Sequence, residues 1–385
     1  MYPGDLMAYM GAMYAQQDGR NPYDAQAAAH ALRSRGIEVE SLAGYVYPPA
    51  FLVLLKPLHW LPYRHFRLLW IALSLVCVWG AVCLLAFRLR IRGSVFFSSL
   101  ALVFLLLSGA MYDCLFWGQI TCIVLAAIAV MLFSSFSGLA SGLAASVLFL
   151  MKIGFWPLVG LLRDRRSWLA LGFSLLLMVL LGGMLFGFNT YADWKETIAE
   201  IGATWEMRGG NNLSLGYLVD RITTSAMFGP EERAIASRDD GYRRELAERT
   251  HRTMQHIHAG LALSLVVAGV VRLIMMGRTG RSPNRRVYIA ALACLYLLVI
   301  VPYVWLHYSL LLIIPLFYTV YTRRIVLTCI FFPFMVLYAL PLNSSLGVWT
   351  SIPGLRAIVP LGMLIWLLLL GDATREQVKQ GQRLA

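Results

Sequence analysis

The side chains that could do chemistry are a few polar residues in or beside apolar runs. A carboxylate comes early, at Asp5; a lone ammonium group stands at Lys152 in LFLMKIGFWP, and an imidazole at His307 in PYVWLHY. Groups of these types move protons or pair with anions. Simpler interpretations stay open: an exposed acid near a chain end, an aromatic interface belt for His307, and a snorkelling lysine. Because a lone lysine between two short apolar runs is costly unless it faces a polar cavity or an anion, function is favoured for Lys152.

Three side-chain amides lie at points where the apolar pattern breaks. Gln119 follows a glycine in FWGQI, where it can bond at a helix start or touch a ligand. Asn211 and Asn212, in GGNNLSLG, can cap a short helix or contact a substrate. Walker, GxSxG, GxGxxG and CxxC motifs are absent from the sequence, which argues against the common nucleotide chemistries.

No metal site or cofactor is predicted. The six cysteines lie within or beside apolar runs and lack metal-ligand spacing, so they are interpreted as small core residues without disulfides: Cys77, Cys83, Cys114, Cys122, Cys294 and Cys329. Three histidines stand close together in the sequence, but no cluster of acidic residues accompanies them, so a solvated helix face explains them better than a metal site. They are His251, His256 and His258.

Composition places the chain in a membrane. It is 59% hydrophobic and 14% charged, with a mean hydropathy of +0.67, whereas soluble domains are about 45 to 50% apolar and 25% charged. A spanning helix needs about 20 mostly apolar residues. The sequence therefore predicts an all-α polytopic membrane protein with about eleven membrane helices. The predicted spans are 66–87, 94–111, 119–135, 167–188, 257–276, 287–303, 306–321, 325–341 and 357–371, with half-depth helices at 138–150 and 153–162.

Charge distribution orients these helices. The net charge of +13 is concentrated in short connectors such as RLRIR at 88–92, RDRR at 163–166 and GRTGRSPNRR at 277–286. Basic connectors face the cytoplasm, so the charge reports topology rather than nucleic-acid binding. The outer face then receives residues 1–49, the turn around Asp113, the long segment 189–256, the VWLHY turn and residues 342–356. Because residues 1–49 must cross with no preceding apolar helix, we expect another helix upstream of Met1, for a total of about twelve.

The chain is predicted to be a single membrane domain, 1–385, with outer loops at 1–65 and 189–256. Leu6, Met10, Met13 and Tyr14 follow helical spacing, which predicts an amphipathic helix on the membrane surface that ends at Gly19. NPYD at 21–24 predicts a turn. The proline-interrupted segment YVYPPAFLVLLKPLHWLP at 45–62 is expected to re-enter the membrane partly from the outer interface.

Six stretches in this order resemble glycosyltransferase family 87 of the C-type superfamily, over nearly the whole chain. They are the early acid with QDGRNPYD, then YVYPPAFLVLLKPLHWLP, LFWGQI, LFLMKIGFWPLVGLLRDRR, GGNNLSLGYLVDRI and WLHYSLLLIIPL. The resemblance implies the C-type glycosyltransferase fold in a bacterial inner or plasma membrane, with the active site on the periplasmic or extracellular face. The resemblance departs at the start of the given sequence, where a first membrane helix is expected to precede the acid.

The resemblance also implies a reaction: an inverting transfer of a sugar, most simply mannose, from a polyprenyl-phosphate donor to a hydroxyl of a lipid or glycan acceptor. Asp5 would then be the base, and Lys152, His307 and Arg208 would offset the charge of the departing phosphodiester. An aromatic pocket including Tyr45, Tyr47 and Trp305 would hold the sugar face and the polyprenyl tail. Gln119, Asn211 and Asn212, singled out above by residue type and position, are the remaining candidate substrate-binding residues.

Two other classes remain compatible with many helices. A lipid or solute transporter or flippase also has broken helices near the midplane. Against it, the conspicuous polar groups gather at the outer surface, and few ionisable residues lie inside the spans to mark a path. The second class is a non-catalytic membrane assembly factor, in which Asp5 and His307 would be free to vary.

Overall fold

The computed structural model describes most of the first half of the chain and several helices of the second half. The described ranges are 4–39, 44–89, 94–106, 108–133, 138–151, 158–162, 164–204, 256–271, 283–300, 306–321 and 355–370, with single positions at 42, 91, 219, 229, 231, 232, 235, 239 and 245. These residues are helical or lie in turns and connectors, and no β-strand occurs among them. The predicted all-helical class is confirmed for this part of the chain.

The chain divides into two compact units, Met1–Trp205 and Glu206–Ala385. Ten helices are described in the first unit: α1 Gly4–Gln17, α2 Ala25–Arg33, α3 Pro49–Leu55, α4 Tyr63–Arg88, α5 Ser94–Leu106, α6 Gly109–Trp117, α7 Thr121–Phe133, α8 Gly138–Met151, α9 Arg165–Phe186 and α10 Asn189–Thr204. A 3-10 turn, Lys56–Leu58, continues α3.

Two described helices, α4 and α9, are long and apolar enough to cross a membrane. The helices α6 and α7 are bent by 111° relative to each other, and they make a third crossing if the pair is one broken span. Long apolar helices predicted at 66–87 and 167–188 are thus confirmed, and the protein is a helical membrane protein. Of the remaining predicted spans, 325–341 lies outside the described residues.

The predicted span 94–111 is wrong as a single helix. Helix α5 ends at Leu106, and Ser108 caps α6, its side-chain oxygen accepting a hydrogen bond from the amide of Met111 at 3.1 Å. A serine hydroxyl satisfies an amide that a new helix would otherwise leave unpaired, so the chain can restart at a new angle there. This break lies one helix, α6, before the bend between α6 and α7.

The predicted helix near the N-terminus is confirmed as α1, and its end is set by Gly19, which has a φ of +70°. Its surroundings differ from the amphipathic expectation, because residues 6–15 are all buried. Helices α2, α3 and α6 pack against α1 and enclose it. The NPYD turn is also present: Asp24 caps α2, accepting a hydrogen bond from the amide of Gln26 at 2.8 Å.

The segment from 45 to 62 forms a short helix wedged against α9. Pro49 occupies the first turn of α3, where its missing amide donor costs nothing. Gly182 of α9 allows close contact, since a Cβ there would lie 3.3 Å from the amide nitrogen of Ala50. Trp194 of α10 donates a hydrogen bond from Nε1 to the carbonyl of Val46 at 3.1 Å. These contacts fix the start of α3 against α9 and α10.

The second unit has four described helices, α11 His256–Val271, α12 Pro283–Ile300, α13 Ile313–Tyr321 and α14 Leu355–Leu370, and a 3-10 helix, Leu306–Leu312. Helix α12 contacts α13 and α14. The hydroxyl of Tyr288 donates to the carbonyl of Leu367 at 2.8 Å, and that of Tyr296 donates to the carbonyl of Leu265. Tyrosine hydroxyls on α12 therefore bond to backbone carbonyls on two neighbouring helices.

Candidate active site

Two of the predicted site residues meet directly in the first unit. Asp5 lies in the first turn of α1 and is half-buried, and Gln119 lies buried between α6 and α7. The side-chain amide of Gln119 donates a hydrogen bond to Oδ2 of Asp5. A carboxylate near a helix N-terminus is stabilised by the helix dipole, and here an amide also holds one oxygen in place. The pair joins residues that are far apart in the sequence.

The bend that presents Gln119 depends on Gly118. This glycine ends α6 with a φ of +72°, in the left-handed region that a residue with a Cβ rarely adopts. It also lies against α1: a Cβ at position 118 would come 2.8 Å from the Cβ of Leu6, the neighbour of Asp5. The amide of Gln119 then donates to the carbonyl of Cys114 at 2.8 Å. A close contact with α1 therefore holds the start of α7 beside Asp5.

An aromatic cluster supports the same helix. Tyr9, one turn after Asp5, lies with its ring centre 6.4 Å from that of Tyr45 and 5.3 Å from that of Tyr47. Its hydroxyl donates to the hydroxyl of Tyr47 at 3.1 Å. The ring of Trp70, on α4, is 5.4 Å away. The cluster joins the helix of Asp5 to the loop before α3 and to a long apolar helix.

The structure places Tyr45 and Tyr47 in the interior of this cluster. Their exposed fractions are 2% and 9%, so neither presents an open ring face of the kind that a sugar would stack on. Burial raises the pKa of Tyr9 and of Tyr45 well above the ordinary value for a phenol, and in Tyr9 the neighbouring Tyr47 and the charge of Asp5 raise it further. These phenols stay protonated and serve as neutral hydrogen-bonding supports behind Asp5.

The other predicted site residues are not brought to this pair by the described structure. Lys152, Arg208, Asn211, Asn212 and Trp305 lie outside the described residues. The backbone of His307 belongs to the 3-10 helix of the second unit, and its side chain is outside the described part. Among the described residues, no three side chains of His, Cys, Asp or Glu form a group that could hold a metal ion.

Two supporting residues were missed by the sequence analysis. Tyr9 follows Asp5 by four positions, the spacing at which helix side chains are neighbours, so that signal was present. Gly118 was quoted in FWGQI without a role, because nothing in the local sequence shows that Leu6 lies against it.

The arrangement suits proton transfer from a bound hydroxyl group. A base must come within about 2.6 to 3.2 Å of the oxygen it deprotonates, and it must be held in a fixed orientation. Asp5 has a fixed position through α1 and Gln119, and its half-buried setting limits competition from water.

Comparison with known proteins assigns the family. The sequence model of glycosyltransferase family 87 matches residues 45–302, about two thirds of the chain. The matched range includes Tyr45, Tyr47 and Gln119, whereas Asp5 and His307 lie outside it. Searches of curated proteins and of solved structures give no match.

Proposed function

The chain belongs to glycosyltransferase family 87, and we propose that it transfers mannose from a polyprenyl-phosphate donor to a hydroxyl of a lipid or glycan acceptor, at the outer face of a bacterial plasma membrane. In this proposal Asp5 is the general base, and Gln119 is a positioning residue that orients its carboxylate. The observation that carries the proposal is the hydrogen bond between these two side chains at the bend between α6 and α7.

The reaction is a single displacement. The acceptor oxygen forms a bond to the anomeric carbon while the bond from that carbon to the phosphate oxygen breaks. The electron pair of that bond leaves with the phosphate, and the hydroxyl proton passes to the carboxylate of Asp5. Because attack comes from the side opposite the leaving group, the anomeric configuration inverts.

The departing phosphate is already a good leaving group and chiefly needs its negative charge offset. Lys152, His307 and Arg208 are proposed for that task, since each can supply a positive charge or a hydrogen-bond donor. Asn211, Asn212 and Trp305 are proposed to contact the donor sugar. Tyr45 and Tyr47 are assigned a supporting role, because both rings are buried against Tyr9.

The test of Asp5 is its replacement by the amide of the same shape. Asp5→Asn removes the basic lone pair and should lower transfer about 10²- to 10⁴-fold while donor binding stays close to that of the unmodified chain. The assay follows radiolabelled mannose from polyprenyl-phosphate mannose into membrane acceptors, with donor binding measured in parallel. Asp18→Asn is the matched control, since it makes the same chemical change just past the other end of α1, where Asp18 pairs with Arg35. If Asp5→Asn transfers mannose at the wild-type rate, Asp5 is not the general base.

The outer-face location has its own test. In a cysteine-free background, cysteines introduced singly at Arg90, Arg165 and Arg281 should be shielded from a membrane-impermeant thiol reagent in intact cells, because basic connectors face the cytoplasm. Cysteines at His30 and Ile235, both exposed, should react. Labelling at Arg90 or Arg281 would reverse the orientation and remove the outer-face site.

A further inference from the structure

A cavity of about 290 Å³ lies where three helix ends of the first unit meet. It opens between the C-terminal end of α1, the end of α3 with its 3-10 turn, and the C-terminal end of α9. Its apolar wall is formed by Met13, Leu52 and Phe186. We call it the α1–α9 pocket. It is separate from the candidate active site, because Met13 lies about 12 Å further along α1 than Asp5, at 1.5 Å per residue.

The polar lining of the α1–α9 pocket carries positive charge and no acid. It consists of Gln16, Gln17, Lys56 and His59. Lys56 is half-buried, its Nζ lies 5.4 Å from the centre of the Phe186 ring, and it has no carboxylate partner among the described residues. A partly desolvated ammonium group without a counterion is costly, and an anion in the pocket would offset that cost.

His59 adds a second group suited to an anion. Its Nδ1 lies 2.5 Å from the carbonyl oxygen of Lys56, and since a carbonyl can only accept, this nitrogen carries the hydrogen. That bond fixes the ring beside Lys56. His59 and Lys56 line the same pocket, and an imidazolium group donates from both ring nitrogens, so the two side chains are candidates to bind one phosphate group there.

The chain on both sides of the pocket exposes large apolar side chains. Trp60, next to His59, is 71% exposed, and Met184 and Phe188, on either side of Phe186, are 76% and 59% exposed. In a membrane protein such surfaces face lipid, and a tryptophan is typical of the membrane interface. A ligand that fits these surroundings has an anionic head for Lys56 and an apolar chain for the exposed end of α9.

We propose that the α1–α9 pocket binds the phosphate group of a membrane lipid, with Lys56 as the principal contact and His59 as the second. The inference goes beyond sugar transfer, because it needs no reaction and uses none of the residues proposed for catalysis. A polyprenyl monophosphate and an anionic phospholipid share this chemistry, and the experiment separates them.

The experiment measures lipid binding to the purified full chain in phosphatidylcholine nanodiscs. Native mass spectrometry would follow titrations with a polyprenyl monophosphate, with phosphatidylglycerol and with an uncharged polyprenol. Lys56→Gln should raise the Kd for a phosphate lipid about tenfold, equivalent to about 1.4 kcal/mol, and leave polyprenol binding unchanged. Lys195→Gln is the matched control, since Lys195 is an exposed lysine on α10 and does not line the pocket.

His59→Glu keeps the test decisive if Lys56→Gln disturbs folding. His59 is exposed, so the substitution should leave thermal unfolding unchanged while its negative charge weakens binding of phosphate lipids by at least tenfold, about 1.4 kcal/mol. A loss confined to the polyprenyl monophosphate identifies the polyprenyl lipid as the ligand, a loss confined to phosphatidylglycerol identifies bulk lipid, and a loss of both identifies a shared site. Unchanged Kd values for both lipids in a folded pocket variant would overturn the proposal, whatever the outcome at Asp5.

Discussion

The contact between Gly118 and Leu6 makes a sharp prediction about stability. In Gly118→Ala the new Cβ would have to lie 2.8 Å from the Cβ of Leu6 and 3.0 Å from its Cδ1, at a φ of +72°. The left-handed conformation costs a residue with a Cβ about 1–2 kcal/mol. Overpacking against a buried neighbour adds about 1–3 kcal/mol. The expected loss in the free energy of unfolding is therefore about 2–5 kcal/mol.

A second glycine separates the two costs. Gly19 has nearly the same φ, +70°, but a Cβ there would meet nothing within 4 Å. Gly19→Ala should therefore lose only the conformational part, about 1–2 kcal/mol. The difference between the two variants isolates the contact between Gly118 and Leu6, and it should appear as a lower midpoint of thermal unfolding for Gly118→Ala in detergent.

The same substitution should affect transfer separately from stability. Below the unfolding midpoint of both variants, Gly118→Ala should lose transfer because Gln119 is displaced from Asp5, whereas Gly19→Ala should keep it. Equal midpoints for the two alanine variants would refute the close packing of α1 on the bend. Full transfer by a folded Gly118→Ala would refute the positioning role of the bend.

Two further predictions concern pH. Gln119→Glu places a second carboxylate beside Asp5, and one of two adjacent carboxylates keeps its proton to higher pH. The acid limb of the pH profile of kcat/KM should therefore move to higher pH by about one pH unit. If the limb does not move, the two side chains do not meet in the working enzyme. The hydrogen bond from Arg35 lowers the pKa of Asp18 from 3.8. That stabilisation is present above the unfolded pKa and lost as pH falls through the folded one, so Asp18→Asn should cost at most about 1 kcal/mol at neutral pH and nothing in strong acid, by thermal unfolding. A constant difference across pH would contradict this ion pair.

The long apolar helices were predictable from the sequence because hydropathy is a local property. Helix α4, Tyr63–Arg88, and helix α9, Arg165–Phe186, lie within a few residues of the predicted spans. The structure adds two helix caps that the sequence analysis did not propose: Asp24 and Asp164 stand directly before the helices that they cap. The end of α1 at Gly19 follows from glycine's freedom to adopt a positive φ.

The position of the helix break in 94–111 was not predictable from hydropathy. Both α5 and α6 are apolar, so only the capping geometry of Ser108 shows that two helices replace one. The burial of α1 was also not predictable from the spacing of its apolar residues. Its spacing predicts one apolar face, but small and apolar residues around the whole helix allow α2, α3 and α6 to enclose it.

The candidate site follows partly from the sequence and partly from the tertiary structure. The sequence singled out Asp5, Gln119, Tyr45 and Tyr47 by residue type and order, and by the resemblance that those stretches carry. Only the tertiary structure brings Asp5 to Gln119 and encloses the two tyrosines, because such contacts depend on how α1 packs against the bend between α6 and α7. That packing requires a left-handed residue without a Cβ at one point on the bend, and its partner, Leu6, lies more than a hundred residues away in the chain.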